Sequence, residues 1–323
     1  MSQHYTLKAY HESWPIRGVF NIAHGSRTES DLVICEISDG ENTGYGECYP
    51  YQRYNETVES VLSDITKIKA QLLTNATRDY LMQIMPAGSA RCAIDLALWD
   101  LESKQTGRSI WSLAGLCAPN AIASAYTISI GSVAKVTEDA IANKDKKILK
   151  LKLAGDAFDK DRIKALSQHA PNSKIIIDAN ESWSREQYND LIEVCQNAGV
   201  AMIEQPFKAN SDDILTELNR PILICADESC HTSADLKGLV GKYDMVNIKL
   251  DKTGGLTEAL NLLHNAEKLG FKIMVGCMVT TSLSIRPAYY LAQTAEIVDI
   301  DGFALLEKDR EGGLNFQNSQ VSE

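Results

Sequence analysis

The amino-terminal third of the chain combines short alternating runs with two longer helical patterns. Residues 32–37 and 43–48 are strand-like, and the pair Asp39-Gly40 between them is typical of a hairpin turn. Residues 57–73 and 90–104 follow a helical pattern, and the second is apolar on nearly every face, so that helix must be buried. We therefore expect an α+β domain over residues 1–120 that begins with an antiparallel sheet.

From about residue 121 the pattern changes to short apolar runs that alternate with amphipathic helical stretches. This alternation is typical of strand–helix units around a parallel sheet, and eight such runs are the number of strands in a closed barrel. A doubly wound open sheet is the alternative, but its usual glycine-rich phosphate turn is missing, because Ile130-Gly131-Ser132 is too short for one. The strand candidates are residues 123–130, 148–153, 174–178, 200–204, 222–227, 245–249, 272–276 and 297–301.

Length and composition narrow the functional classes. The 323 residues leave room for a barrel of roughly 200 to 250 residues and a smaller domain. A formal net charge of −11 with no basic stripe disfavours nucleic acid as a partner. No apolar run approaches the roughly 18 residues of a membrane span, and the amino terminus does not resemble a signal peptide, so we expect a cytoplasmic protein with small-molecule substrates. The eight cysteines are scattered without a C-x-x-C pair, which indicates neither disulfides nor a zinc site.

Charged and polar residues stand at the predicted carboxyl ends of the strands. In a strand–helix barrel these ends meet on one face, where the reactive groups lie. We therefore expect one ring of side chains. It contains Lys150 and Lys152 from the second strand, Asp178 and Asn180 from the third, Glu204 from the fourth, Asp227 and Glu228 from the fifth, Lys249 from the sixth, Cys277 after the seventh, and Asp299 and Asp301 from the eighth.

Three of these acids, Asp178, Glu204 and Asp227, end consecutive strands. Carboxylates placed so close together would repel one another unless a cation lay between them. A site made only of oxygen ligands suits Mg²⁺. The alternative is that single acids cap helices or pair with lysines, which explains three acids at consecutive strand ends less well.

The lysines suggest proton transfer. Lys150 and Lys152 alternate with leucines, so both should face the barrel interior, and Lys249 comes from the far side of the ring. Burial and crowding near a metal should lower their pKa values, as a lysine base requires. A metal that holds a substrate carboxylate, with one lysine on each face of the α-carbon, describes a two-base 1,1-proton transfer. Structural salt bridges are the alternative role for these lysines.

These motifs resemble the muconate-lactonizing subgroup of the enolase superfamily, over essentially the whole chain. The matching residues are Lys150 and Lys152, Asp178-Ala179-Asn180, Glu204-Gln205-Pro206, Asp227-Glu228-Ser229 and Asn247-Ile248-Lys249. Within that subgroup, Asp299-x-Asp301, Gly276-Cys277-Met278 and Gly25-Ser26-Arg27 resemble the L-Ala-D/L-Glu epimerases of bacterial murein-peptide recycling. The resemblance implies a modified (β/α)7β TIM-type barrel with an N-terminal α+β capping domain, and isomerase activity.

The resemblance also implies a role for each part of the ring. Asp178, Glu204 and Asp227 would bind one Mg²⁺ per subunit. Lys152 and Lys249 would be the opposed acid and base. Lys150 would help to hold the substrate carboxylate.

The remaining residues would contact the ends of a dipeptide. Asp299 and Asp301 would bind its ammonium group, an assignment that also follows from two nearby carboxylates with no cation beside them in the sequence. Arg27, in the polar loop 23–27, would bind the glutamate side-chain carboxylate. Thr127, Asn180 and Cys277 are further candidates for substrate contact. Solvated surface positions are the alternative for both acids and for Arg27.

Several rival functions stay open. Cycloisomerase or o-succinylbenzoate synthase chemistry would use the same metal and lysines but predicts an apolar pocket, which Asp299 and Asp301 contradict. A metal-free lyase would use a lysine as a Schiff-base nucleophile, and a barrel that only binds a ligand would tolerate loss of Lys150 and Lys152.

For the domain organisation we expect a cap over residues 1–120, a barrel over 121–305 and a segment, 306–323, that returns to the cap. The active site should then lie between the domains. The sequence leaves a homo-oligomer open.

Overall fold

An antiparallel sheet organises the N-terminal part of the protein, whose computed structural model describes residues 5–22 and 25–323. Strand β1 (Thr6–Ile22) pairs with β2 (Gly25–Ser38), which pairs with β3 (Thr43–Cys48). In the β2–β3 turn, Asp39 Oδ1 accepts hydrogen bonds from the backbone of Glu41 and Asn42, and Gly40 has a φ of 98° that favours glycine. The predicted hairpin is confirmed.

Helices pack on this sheet. They are α1 (Val58–Leu72), α2 (Arg78–Ile84), α3 (Ser89–Thr106) and the short α4 (Ile110–Leu113). Thr57 caps the start of helix α1, and its side chain accepts a hydrogen bond from Ser60 N. Helix α3 is the predicted buried helix, and it lies so close to β3 that a Cβ on Gly46 would collide with the Ala93 carbonyl oxygen. Both helix predictions are therefore confirmed.

Eight parallel strands form the barrel. A two-residue strand, β4 (Ile122–Ala123), precedes them. In sheet order they are β5 (Tyr126–Ile128), β6 (Ile148–Lys152), β7 (Lys174–Asp178), β8 (Val200–Glu204), β9 (Leu223–Ala226), β10 (Met245–Ile248), β11 (Lys272–Gly276) and β12 (Ile297–Asp299). The Ala125 amide donates to the Val298 carbonyl at 2.8 Å and joins the last strand to the first. All eight strand predictions are confirmed within a few residues, and the fold is the expected barrel rather than an open sheet.

Helices connect most of the strands on the outside of the barrel. They are α5 (Val133–Ala142), α6 (Asp159–His169), α7 (Arg185–Asn197), α8 (Leu236–Leu239), α9 (Leu250–Thr253), α10 (Leu256–Lys268) and α11 (Ser282–Leu291). A 3-10 helix at Asp213–Thr216 stands between β8 and β9, and another at Gly302–Leu305 follows β12. The last strand thus has no α-helix directly after it, which is the (β/α)7β modification.

The C-terminal residues contact both parts of the protein. Glu307 N donates to the Pro15 carbonyl at 2.8 Å, and Arg310 Nη2 lies 2.6 Å from Glu12 Oε2, so this stretch reaches β1. Strands β13 (Asn315–Gln317) and β14 (Gln320–Ser322) then form a small sheet with β4 at the barrel. Within residues 5–22 and 25–323, no helix combines the length and apolar character needed to cross a membrane.

Candidate active site

The barrel interior has two layers. A lower layer of apolar side chains closes the amino-terminal end of the barrel. Two residues further along each strand, the side chains on the same face are polar or charged in seven of the eight cases, because side-chain direction in a strand repeats every second residue. The lower layer is Ala125, Ile148, Ile176, Met202, Cys225, Met245, Met274 and Ile297; the upper positions are Thr127, Lys150, Asp178, Glu204, Asp227, Asn247, Gly276 and Asp299.

A pocket with about 700 Å³ of non-protein space lies above this upper layer. Residues of the N-terminal sheet and of the barrel strand ends line it together, as expected for an active site between a cap and a barrel. Its lining includes each predicted substrate contact, namely Arg27, Thr127, Lys150, Asn180, Cys277, Asp299 and Asp301, and also Lys152. Tyr49, Tyr51, Ile16, Met278 and Leu305 add an aromatic and apolar wall that the sequence did not predict.

Lys150 lies at the centre of the carboxylate cluster. Its Nζ is 2.6 Å from Asp299 Oδ2, 2.7 Å from Glu204 Oε2 and 3.2 Å from Asp178 Oδ2. Burial lowers the pKa of Lys150, but the three carboxylates outweigh it, and the pKa lies well above its ordinary value. Lys150 is therefore a fixed positive charge.

Lys152 and Lys249 lie at the ends of β6 and β10, four strand positions apart in the barrel, and each contacts a carboxylate. Lys152 Nζ is 2.5 Å from Asp178 Oδ2, and Lys249 Nζ is 2.6 Å from Asp227 Oδ2. Burial lowers the pKa of Lys249, but the charges of Asp227 and Glu204 raise it by more than burial lowers it, so the net shift is upward. The expectation of lowered lysine pKa values is wrong for Lys150 and Lys249, because it counted burial without the paired carboxylates.

The three predicted metal ligands are buried, and their pKa values move in different directions. The pKa of Asp178 falls to about 2, since Lys152 and Lys150 outweigh burial, and Lys249 and Lys252 likewise lower the pKa of Asp227. The pKa of Glu204 rises to about 7, because burial and the charge of Asp178 together exceed the effect of Lys150. Of these three carboxylates, Glu204 is the one whose negative charge the lysines stabilise least.

The donor set of this cluster fits a hard divalent cation. Six carboxyl groups face four amino groups, which leaves an excess of two negative charges when all are ionised; the acids are Asp178, Glu204, Asp227, Glu228, Asp299 and Asp301, and the lysines are 150, 152, 249 and 252. Among residues 5–22 and 25–323, however, no group of three acids is already arranged to hold a metal ion. Ammonium groups lie against Glu204 and Asp227 instead. A cation held by Asp178, Glu204 and Asp227 would replace Lys150 and Lys249 at those oxygens.

Asn247 fixes the orientation of Glu204. Its Nδ2 donates to Glu204 Oε1 at 2.7 Å, and its Oδ1 is buried without a hydrogen-bond partner. A Cβ on Gly276 would lie 2.6 Å from that Oδ1, so glycine at this position makes room for the amide. The sequence showed Asn247 only as part of the Asn247-Ile248-Lys249 motif.

Gln205 connects the ends of two strands. Its Oε1 accepts hydrogen bonds from the backbone amides of Asp227 at 2.9 Å and Ser229 at 3.1 Å. Its Nε2 lies 2.8 Å from the Phe207 carbonyl and from the hydroxyl of Tyr243. This fully buried amide therefore holds Asp227 in position beside Glu204.

The acid pair at the last strand is divided between two partners. Asp299 ends β12 and contacts Lys150, while its Oδ1 is buried with no hydrogen-bond partner. Asp301 lies beyond the strand, not on it as expected, and accepts from Thr127 N at 2.8 Å and Thr127 Oγ1 at 3.3 Å. Burial and the neighbouring Asp299 raise the pKa of Asp301 to about 7. Lys150 is the cation beside these acids, and the sequence did not reveal it.

Arg27 reaches the pocket from β2, so it is a strand residue and not part of a loop; positions 23 and 24 of the expected loop lie outside the described residues. Its Nη1 donates to the Tyr49 hydroxyl. Tyr49 N in turn donates to Oδ1 of Asp251 at 2.7 Å, and Asp251 follows Lys249 by two residues in the chain. Burial raises the pKa of Asp251 to about 7, although the Tyr49 amide acts in the opposite direction.

Fold and site together define a capped strand–helix barrel with a lysine and carboxylate centre. Residues 4–115 match the family model described as the mandelate racemase / muconate lactonizing enzyme N-terminal domain, and residues 132–318 match the enolase C-terminal domain-like model. The chain belongs to the mandelate racemase / muconate lactonizing enzyme family of the enolase superfamily.

Two relatives are similar over most of their length. The L-Ala-D/L-Glu epimerase of Escherichia coli (strain K12) is 41% identical over 318 residues, which are 98% of this chain and 99% of the relative. The N-acetyl-D-glutamate racemase of a Pseudoalteromonas species is 38% identical, over 90% of this chain and 92% of the relative.

Solved structures with the same fold include the following two. An enolase family member from Agrobacterium tumefaciens, with bound sodium and L-Ala-L-Glu, superposes with a TM-score of 0.96 at 43% identity over 98% of this chain and 97% of the other. A dipeptide epimerase from Methylococcus capsulatus, complexed with Mg and L-Arg-D-Lys, has a TM-score of 0.90 at 29% identity over 98% and 96% of the two chains.

Proposed function

We propose that the protein is a Mg²⁺-dependent epimerase of L-Ala-D/L-Glu type dipeptides, which acts at the α-carbon of the C-terminal residue. The observation that carries the proposal is the placement of Lys152 and Lys249 at the ends of two strands that are four positions apart, with the carboxylate cluster between them. The E. coli relative and the Agrobacterium complex support the choice of substrate.

Asp178, Glu204 and Asp227 would hold one Mg²⁺ per subunit, and Lys150 would help to bind the substrate carboxylate beside it. When bound, Mg²⁺ supplies positive charge for the negative charge that develops on this carboxylate as the α-proton leaves. Enolase-superfamily sites commonly pair a lysine base with Mg²⁺ in this way.

Lys152 and Lys249 would exchange the proton on opposite faces of the α-carbon. The neutral lysine takes the proton and becomes an ammonium group, while the opposite ammonium group returns a proton to the other face. Each turnover therefore conserves the number of protons and inverts the carbon. Asp227 and Glu204 help to raise the pKa of Lys249, and a cation held by these two carboxylates would offset that effect.

The ends of the pocket select the dipeptide. Asp299 and Asp301 would bind the ammonium group, and the buried Asp299 Oδ1 has an acceptor position to offer. Arg27 would bind the glutamate side-chain carboxylate, with Thr127, Asn180 and Cys277 as further contacts. These two acids also disfavour the cycloisomerase alternative, which predicts an apolar pocket rather than one lined by two carboxyl groups.

The test is to incubate the protein with L-Ala-L-Glu in deuterium oxide, with Mg²⁺ or with chelator, and to follow the glutamate α-proton by NMR. We expect loss of the signal and a second diastereomer only with Mg²⁺. Exchange that persists with chelator would contradict the metal role, and borohydride trapping would then test the Schiff-base lyase. N-acetyl-L-glutamate, which has no ammonium group, should react much more slowly; an equal rate would contradict the role of Asp299 and Asp301.

Alanine variants of the two lysines test the mechanism. Lys152→Ala and Lys249→Ala should each abolish epimerisation while circular dichroism shows an unchanged fold. Full activity in either variant would refute the two-base scheme.

We further propose that the physiological substrates are murein-derived peptides in the cytoplasm, and that residues 1–120 act as the cap, 121–305 as the barrel and 306–323 as a segment that returns to the cap. The similarity to the E. coli L-Ala-D/L-Glu epimerase supports the substrate choice, and the contacts of Glu307 and Arg310 with β1 support the returning segment.

A further inference from the structure

Lys252 is a second buried lysine beside Asp227, on the short helix α9 that directly follows Lys249. Its side chain is fully buried. The Nζ atom lies 2.6 Å from Asp227 Oδ1, 2.5 Å from the Asp227 carbonyl oxygen and 3.0 Å from the Asn247 carbonyl oxygen. An ammonium group has three N–H donors, so these three acceptors occupy all of them.

Lys252 and Lys249 divide the Asp227 carboxylate between them. Lys252 holds Oδ1, whereas Lys249 contacts Oδ2 at 2.6 Å. The two lysines differ in their surroundings, because Lys252 also donates to backbone carbonyls at the ends of β9 and β10. Lys249, in contrast, is the predicted acid or base. Oδ2 is therefore the oxygen that can change its partner.

We propose that Lys252 is a positioning residue that reserves Asp227 Oδ1 for the protein and directs Oδ2 toward the divalent cation. A cation at Oδ2 then takes the place of Lys249 and frees that amino group for the substrate, while Lys252 stays bound. This inference rests on the proposed metal site. The three hydrogen bonds of Lys252 all go to Asp227 and Asn247, so its effect on the metal site passes through these two residues.

Charge and positioning predict opposite effects for the loss of Lys252. If the lysine acted only as a positive charge near the metal, its removal would strengthen Mg²⁺ binding, because like charges repel. If it positions Asp227, its removal frees the carboxylate to rotate and takes one donor from each of two buried carbonyls, so Mg²⁺ binding weakens. The direction of the change therefore decides between the two roles.

The experiment is calorimetric titration of metal-free protein with Mg²⁺ alone. We expect Lys252→Met to raise the Mg²⁺ Kd by about tenfold or more, the usual effect of losing a partner that orients a metal ligand. Lys249→Met should leave the Kd unchanged or lower it, since it removes a competitor for Oδ2. Arg162→Met is the matched control: this arginine is similarly buried and paired with Asp159, but lies away from the cluster, so its loss should leave the Kd unchanged.

The outcomes separate this inference from the proposed function. A Lys252→Met protein that binds Mg²⁺ as tightly as the wild type, or more tightly, would overturn the inference and leave the metal site intact. If that variant does not fold by circular dichroism, weaker binding in Lys249→Met would overturn it instead. A wild-type protein that binds no Mg²⁺ would overturn the proposed function itself.

Discussion

Replacing Gln205 by leucine tests how the strand ends are held together. The change keeps the approximate size of the side chain and removes its amide. Two backbone amides, of Asp227 and Ser229, lose their acceptor, and the Phe207 carbonyl loses its donor. These groups lie in the buried region around a fully buried side chain, so water does not readily replace the lost hydrogen bonds.

The expected magnitude follows from the number of groups left unpaired. A buried polar group without a partner costs about 1–3 kcal/mol, so three of them should lower the free energy of unfolding by roughly 3–9 kcal/mol. A protein of this kind is stable by only about 5–15 kcal/mol, so the loss should be large. Because Asp227 also loses its anchor, Mg²⁺ affinity should fall as well.

Urea unfolding of the metal-free protein measures this effect. Gln105→Leu is the matched control, since its exposed side chain makes a single hydrogen bond, to Asp39 Oδ2 at 2.7 Å, and should cost less than about 1 kcal/mol. If Gln205→Leu is no less stable than Gln105→Leu, the reasoning about the buried amide is refuted.

Three further variants test other parts of the site. Arg27→Ala should reduce activity on Ala-Glu more than on Ala-Ala while Mg²⁺ affinity stays constant, and unchanged discrimination in a kcat/KM comparison would reject its role. Gly276→Ala should displace Asn247 and lower kcat/KM by about tenfold or more, whereas Gly238→Ala, where a Cβ meets nothing within 4 Å, should behave as wild type. Burial raises the pKa of Asp251 from 3.8 to about 7, so the folded protein favours the protonated carboxyl group. The stability that this group contributes is fully present below its unfolded pKa and is lost as the pH rises through about 7. The Tm of the wild type should therefore fall relative to Asp251→Asn between about pH 4 and pH 7, and parallel Tm curves would contradict this.

The sequence by itself determined the barrel and most of the lining of the site. Strand Lys174–Asp178, for example, begins and ends where its apolar run predicts. The two-residue repeat of a strand then places a charged side chain directly above an apolar one, as with Ile148 and Lys150. These features depend on neighbours along the chain, so the local order of residues was sufficient to predict them.

The tertiary structure decided the electrostatics and the supporting contacts. Lys150 meets Asp299 across 149 positions of sequence, and that pairing reverses the pKa shift expected from burial alone. Gln205 and Lys252 also acquire their roles only when the ends of different strands meet. Charge interactions depend on distances in space, which the order of residues does not contain, so the sequence located the polar groups that line the pocket but not the partners that set their charge and orientation.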